Sequence, residues 1–417
     1  MFHLKKYLRR IGPGVITGAS DDDPSGIMTY SQTGAQFGYG FLWLAWFTTP
    51  LMMAVQEISA RLGLVTRQGL AKIISQHISR RVALWLSLGL LVANVVNIGA
   101  DLSAMAAVAQ LVIPGPLALY IILFAGIIIS LEVLVTYARY ANILKWLTLA
   151  LFAYVITAFV TKQDWGSIIH ATIIPNIPSG GAVWILITGI LGTTISPYLF
   201  FWQAAEEVEE ENLAIKVNHR AHPKMGAWLR RMRWDTVVGM LYSNLIMFFI
   251  IVVTAGTLHQ AGITTIISAA QAADALRPLA GSLTFGLFAL GVIGTGLLAV
   301  PILAGSAAYA LAEVFNWSEG LSKRFNQARG FYLIIAAAIV VGALMTASGI
   351  SPIRFLIMAA VINGLLAPII IWYMLRLADR PEVVGDHRSP PVVRIVAWGT
   401  LIIMTGSGIL TIIHLIS

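Results

Sequence analysis

Three consecutive carboxylates, Asp21, Asp22 and Asp23, stand directly before Pro24 inside an otherwise apolar stretch reading GPGVITGASDDDPSGIMTYSQTG. Carboxylates are hard oxygen donors that bind cations and carry protons. An ionised aspartate at the centre of a membrane-spanning segment costs roughly 3 kcal/mol on insertion scales unless it is partnered, so three together imply a function. A second polar interruption, GILGTTISPYLFFWQAAEEVEEE, sets the hydroxyls of Thr193, Thr194 and Ser196 before Pro197. Proline has no amide hydrogen to give a helix and disfavours the α conformation at the residue before it. Ser25 and Gly26 follow the first proline, and Gly26 relaxes the backbone further. Both stretches are therefore expected to split into two half-helices joined by unwound chain, which survives at membrane depth only where it lines a cavity or is buried in protein. Two prolines that merely kink two helices would leave the aspartates unexplained.

The elements that must hold these groups follow from composition. In a chain of 417 residues, 58% hydrophobic and only 11% charged, with mean hydropathy +0.82, there is more apolar surface than one soluble core can hide. Apolar stretches long enough to span a bilayer are predicted at approximately 11–33, 38–62, 82–112, 116–136, 141–161, 182–204, 236–258, 283–313, 330–348, 353–376 and 393–415. The fold class is all-α integral membrane protein, one transmembrane domain over residues 1–417 with no soluble domain between spans. The two breaks fall in the first helix of spans one to five (approximately 11–161) and the first helix of spans six to ten (approximately 182–376), with 393–415 an extra helix. That is the pattern of an inverted repeat: an odd number of spans turns the second copy over, so that the breaks meet near the midplane.

The net charge of +8 is explained by topology. With the N-terminus cytoplasmic, all but Lys162, Arg277 and Arg354 of the 27 basic residues lie on the cytoplasmic side, and the C-terminus lies outside. The basic run from Lys216 to Arg233 reads as a retention signal before it reads as a lipid-binding patch. Neither nucleic acid nor an obligate protein partner is called for; the surroundings are membrane lipid. The opening MFHLKKYLRR is not a signal peptide, because aspartates interrupt the apolar run after it. A short chain without a targeting extension suits a bacterial inner membrane. Cysteine is absent, which removes disulfides, thiol catalysis and thiolate ligands.

The runs GPGVITGASDDDPSG, GAQFGYGFLWLAW and QEISARLGLVT resemble the first two helices of the natural resistance-associated macrophage protein (NRAMP) divalent-metal transporters, and the resemblance extends over nearly the whole chain. It implies a LeuT-type fold with the transported ion held at the two breaks. The family's first-helix motif, Asp-Pro-Gly-Asn, is matched by Asp23 and Pro24, whereas Ser25 and Gly26 stand at the glycine and asparagine positions. Its sixth-helix Met-Pro-His becomes Ser196, Pro197 and Tyr198. A thioether and an imidazole are thus replaced by hydroxyls, so the resemblance implies a harder site, better suited to Mg or Mn than to Fe or Zn. The change is similar to that in the NRAMP-related magnesium transporters. Thr193 matches the family's carbonyl ligand, and Asn363, in VINGLLAPIII, stands where the family has a glutamine near the ion; an interhelical hydrogen bond is an equal account of Asn363. Asp101, in NIGADLSAM, matches an aspartate on the family's proton route, while Ala104 replaces an acidic residue often found one turn later. Proton coupling would then run through Asp21, Asp22, Asp23 or Asp101, or be absent.

The remaining acids read as structural. Glu57 and Arg61 have the i, i+4 spacing of an intrahelical pair. Glu132 and Glu313 fall at span ends, and Glu206, Glu207, Glu209, Glu210 and Glu211 are expected to form a solvated face opposite the basic run. The histidines lack the paired spacing of a zinc hydrolase helix, and no phosphate-binding glycine loop followed by lysine is present, so neither an enzyme nor an ATP-driven pump is expected. The expected activity is secondary transport of a divalent cation by alternating access, with no cofactor. The same scaffold carrying a small anion at its half-helix N-termini, a channel, and an aspartyl hydrolase using Asp23 and Asp101 remain as alternatives.

Because the chain has no cysteine, topology is directly testable. A cysteine replacing Ser417 is expected to react with a membrane-impermeant maleimide added to intact cells, and one replacing Lys6 only after permeabilisation. The reverse pattern would invert every span.

Overall fold

A computed structural model describes residues 13–135, 148–177, 181–218, 225–348 and 351–416, and among these the regular structure is entirely helical. The predicted first span is two helices, Pro13–Asp21 and Pro24–Phe37. The second to fourth spans are Leu42–Thr66, Arg80–Val112 and Leu117–Leu134. Of the predicted fifth span, 141–147 lies outside the described residues, and Thr148–Leu151 with Phe152–Val160 is helical. The sixth is again two helices, Gly181–Thr194 and Pro197–Asn218, and the seventh to eleventh are Met225–Thr254, Thr284–Phe315, Arg329–Met345, Pro352–Ala378 and Pro391–Ile416. Eight helical stretches are long and apolar enough to cross a membrane, and Leu149–Val160 and Arg329–Met345 are shorter apolar helices.

Both breaks form where proline dictates. Asp21 ends the first half-helix and Pro24 opens the second, so Asp22 and Asp23 are left outside helical geometry; Asp23 is extended, with φ −66° and ψ 171°. In the sixth span only Ile195 and Ser196 separate Thr194 from Pro197. Proline suits the first turn of a helix, where an amide hydrogen would find no partner in any case.

The helix pairings carry the expected two-fold relation. The second span packs on the seventh and the third on the eighth, pairings that exchange of the halves maps onto themselves. Third against fourth is matched by eighth against ninth. This is the LeuT-type arrangement of five plus five spans with broken first and sixth helices. Outward-facing apolar side chains such as Trp85, Ile122, Leu134 and Ile395, each at least 70% exposed, cover the perimeter that lipid must solvate.

Glycine sets the closest approaches. A Cβ at Gly18 would lie 2.2 Å from the carbonyl oxygen of Gly239, and one at Gly239 2.1 Å from that of Gly14, so the first half-helix lies backbone to backbone on the seventh span. Gly192 of the sixth span meets the tenth in the same way, with Ala360 O 2.1 Å and Gly364 N 2.3 Å from a Cβ position. These contacts press the two broken helices into the middle of the bundle, with large side chains kept out of the seams.

Gly239→Leu is expected to overpack the first seam and lower stability by at least about 1–3 kcal/mol, read as an earlier thermal unfolding of detergent-solubilised protein. Gly406→Ala, at a position with open space around it, should leave that temperature unchanged.

Candidate functional site

The expected meeting of the breaks is realised. A Cβ on Gly26 would come within 3.1 Å of the Thr193 methyl and 3.2 Å of the Asp21 carbonyl oxygen, so position 26 packs tightly against the sixth span. Tyr198 adds a second link, its phenol donating to the Ser20 carbonyl over 3.2 Å. A carbonyl freed by the first break is thereby satisfied from the sixth span.

Asp23 is the organising group. It is 2% exposed and caps the second half-helix, accepting at Oδ1 from the Gly26 amide (2.7 Å) and the Ser25 hydroxyl (2.6 Å). Its Oδ2 accepts from the Asn97 side-chain amide of the third span over 3.0 Å. Capping satisfies amide groups that the break leaves free, and the positive end of the half-helix favours a carboxylate there.

Asp21 and Asp22, also fully buried, turn away from Asp23 toward the seventh span. Ser243 Oγ lies 2.6 Å from Asp21 Oδ2 and 3.3 Å from Asp22 Oδ1, and one hydroxyl hydrogen serves both. Asp21 ends a helix and Asp22 and Asp23 follow in unwound chain, so their side chains diverge and the three adjacent aspartates do not make one three-carboxylate cage. Among the described residues no group of three or more histidine, aspartate or glutamate side chains is placed to hold a metal ion.

On the sixth span, Ser196 donates to the carbonyls of Gly192 (2.6 Å) and Thr193 (2.8 Å). The Thr193 carbonyl, the expected ligand position, accepts from its neighbour and keeps a second lone pair. The Thr193 hydroxyl, by contrast, is buried without a partner, and the Ser196 oxygen keeps lone pairs while its hydrogen is used. Asn363 is 1% exposed on the tenth span, next to the Gly364–Gly192 seam, and its Oδ1 has no partner; no hydrogen bond links it to Asp23. Asp101 is wholly buried on the third span, facing the Ser25 backbone amide at the break, and neither carboxylate oxygen makes a full hydrogen bond.

Sequence reasoning missed Asn97 and Ser243. Asn97 had a visible signal, its position one turn before Asp101 on an apolar helix, which places both on one face. Ser243 had none, since a serine in a spanning helix ordinarily bonds its own backbone.

Beyond the break, a cavity of about 340 Å³ is bordered by Met28, Ala104, Val108, Val292 and Leu356. Gln32 closes over this end by bonding the backbone of the chain after the seventh span, donating to Thr264 O (3.1 Å) and accepting from Ile266 N (2.9 Å). At the opposite, basic end, Glu57 does pair with Arg61, and more: Arg233 reaches its Oε1 at 3.2 Å and Ser389 its Oε2 at 3.0 Å. The glutamate run is not the solvated face expected of it. Glu207 and Glu211 are buried, Glu210 pairs with Arg231 (2.8 Å), Glu211 with Arg67 (3.1 Å), and Glu209 accepts from the amides of Leu321 and Ser322. Glu313, expected at an interface, is buried and accepts from the Lys72 amide over 3.0 Å.

With this geometry in hand, similarity to known proteins is informative. Residues 14–414 match the family model described as natural resistance-associated macrophage protein-like. A divalent metal cation transporter MntH of Clostridium acetobutylicum is 25% identical over 419 residues, covering 96% of this chain and 90% of the relative. That of Verminephrobacter eiseniae is 25% identical over 404 residues, covering 93% and 84%. The fold is similar to the crystal structure of the Eremococcus coleocola manganese transporter, with TM-score 0.77, 18% identity, and 98% and 87% of the two chains covered. The nucleobase-cation-symport-1 family transporter Mhp1 superposes less closely, at TM-score 0.51 and 16% identity over 97% and 91% of the chains.

Ser243→Ala removes the one hydroxyl shared by two buried carboxylates. We expect a loss of about 1–3 kcal/mol, seen as a lower unfolding temperature, with Ser243→Thr restoring most of it. An unchanged Ser243→Ala protein would show that the shared bond is dispensable.

Proposed function

Since the chain belongs to the natural resistance-associated macrophage protein-like family, whose members are transporters and not enzymes, we propose that it is a secondary transporter of a divalent metal cation. The observation that carries this reading is Asp23: a buried carboxylate held in unwound chain at the meeting point of two broken helices, with the unpartnered Thr193 hydroxyl and the Asp101 carboxylate in the same interior. A bilayer interior tolerates such an arrangement where it binds a cation.

The donor set is hard. Asp23, Ser25, the Gly26 backbone, Thr193, Ser196 and Asn363 supply oxygen and no sulfur or imidazole, favouring Mg or Mn over Fe or Zn. The relatives' names speak of divalent metal cations, and that of the structural neighbour of manganese. Asp21, Asp22 and Asp101 contribute negative potential and are the groups available for proton coupling. Alternating access would move the half-helices against the third and eighth spans, opening first toward the cavity beside Met28 and then toward the basic end. We place the protein in a bacterial inner membrane, N-terminus inside, as a single domain over 1–417 whose halves are approximately 11–161 and 182–376, with 393–415 added.

Small-anion transport is less well supported by this site. The half-helix N-terminus that would bind an anion is occupied by the protein's own carboxylate, through the bond from the Gly26 amide to Asp23.

Calorimetry and proteoliposome uptake with Mn, Mg and Ca test the proposal. Asp23→Ala should weaken Mn and Mg binding by about tenfold or more, at least 1.4 kcal/mol, and abolish uptake. Absence of binding by native protein, or binding indifferent to Asp23→Ala, would end the metal reading. Unitary currents in place of saturable uptake would point to a channel.

A further inference from the structure

Asn97 is fully buried on the third span, and its two amide atoms have unequal fates. The nitrogen donates to Asp23 Oδ2 over 3.0 Å, while the oxygen has no partner at all. With Asp23 ionised, the nitrogen is the side of the amide that faces it, because a carboxylate only accepts. The oxygen is thus held in the interior, beside a carboxylate, with nothing to accept from.

It is not alone. Asp101, four residues on and on the same helix face, faces the Ser25 backbone amide at the break without a full hydrogen bond at either oxygen, and the Thr193 hydroxyl across from Gly26 is unpartnered. Around the first break the unpartnered groups include atoms that can only accept, Asn97 Oδ1 among them, beside the Thr193 and Tyr30 hydroxyls, which can donate as well as accept. Acceptors cannot satisfy one another; a shared cation satisfies several at once. Buried polar atoms of native proteins are nearly always partnered, so a local surplus of one kind points to a missing ligand of the opposite kind.

We propose that the side-chain oxygen of Asn97 is a direct ligand of the transported cation, which is held between Asp23 and the third span as well as between the first and sixth. The inference rests on the reading that a divalent cation binds at Asp23. Position 26 is glycine, so the first span supplies no side-chain amide there, and a Cβ would sit tightly against the Thr193 methyl at 3.1 Å. Asn97 brings an amide to the same carboxylate from a neighbouring helix. Either the ion sits on the oxygen side of the amide as it stands, or the carboxamide turns over when the ion, rather than the amide nitrogen, faces Asp23. Both leave Asp23 and Asn97 as joint ligands and pin the broken first helix to the third span while the ion is bound. Asn363 also carries an unpartnered oxygen, but no hydrogen bond connects it to Asp23.

The test is calorimetric titration of the purified full chain with Mn and with Mg, comparing native protein, Asp23→Ala, Asn97→Ala and Asn97→Asp, alongside unfolding temperatures with and without Mn. The expected result is at least a tenfold weaker affinity in Asn97→Ala with its Mn-induced rise in unfolding temperature lost. Asn97→Asp should bind at least as tightly as native, because it keeps the oxygen and adds charge while giving up the hydrogen-bond donor. Should Asn97→Ala not fold, Asn97→Asp decides the matter alone. Loss of binding in Asn97→Asp would make Asn97 only a donor that positions Asp23 and would overturn the proposal. Native affinity in Asn97→Ala, with binding lost in Asp23→Ala, would overturn it and leave the divalent-cation reading intact. No binding by the native protein would remove both.

Discussion

The structure depends on keeping a carboxylate buried inside a bilayer-spanning bundle. Asp23 meets that constraint by accepting from three donors, the Gly26 amide, the Ser25 hydroxyl and the Asn97 amide. Two of them belong to the half-helix it caps, so the break that makes room for the charge also supplies the groups that stabilise it. Pro24 closes the loop of causes: it ends the preceding helical geometry, places Asp23 at the cap position and needs no amide partner itself. Break, cap and carboxylate are one device.

The rest of the bundle serves to bring that device against its counterpart. Glycine seams let the first half-helix lie on the seventh span and the sixth on the tenth at backbone contact, which sinks both breaks to the same depth. Asn94 fastens the third span to the eighth by donating to Leu303 O and Ser306 Oγ, one turn from Asn97. Ser59 fastens the second to the sixth through Phe200 O. In a lipid solvent there is little hydrophobic drive between helices, so close backbone packing and such bonds hold the spans in register.

Charge at the basic end follows a different logic. Glu57 gathers Arg61, Arg233 and Ser389 from separate parts of the chain, and near the end of the sixth span Glu210 holds Arg231, Glu211 holds Arg67, and Glu206 and Glu209 share the Tyr309 hydroxyl. Glu209 and Glu211 read from sequence as part of a solvated stripe because their partners, the amides of Leu321 and Ser322 and the Arg67 side chain, are distant in sequence, whereas Glu210 meets Arg231 of the adjacent basic run. The Glu57–Arg61 pair is buried on both sides, whereas Arg67, Arg231 and Arg233 are 46%, 44% and 44% exposed, so solvent screening leaves their pairs little net stability.

What the sequence determined by itself was local or periodic. Runs of apolar residues gave the spans because crossing a bilayer needs length and hydropathy alone, and Pro24 and Pro197 gave the breaks because proline acts on its own backbone. Their places in two sets of five spans gave the inverted repeat. The directions of side chains at the site were not legible. Asp21, Asp22 and Asp23 are neighbours in sequence, yet two face Ser243 and one faces Asn97, because the unwound chain that follows Asp21 has no periodicity from which direction can be read. Asn97 and Ser243 entered the site only through packing of the third and seventh spans on the first. Local chemistry decides where a helix must break; only tertiary packing decides which groups the broken ends will meet.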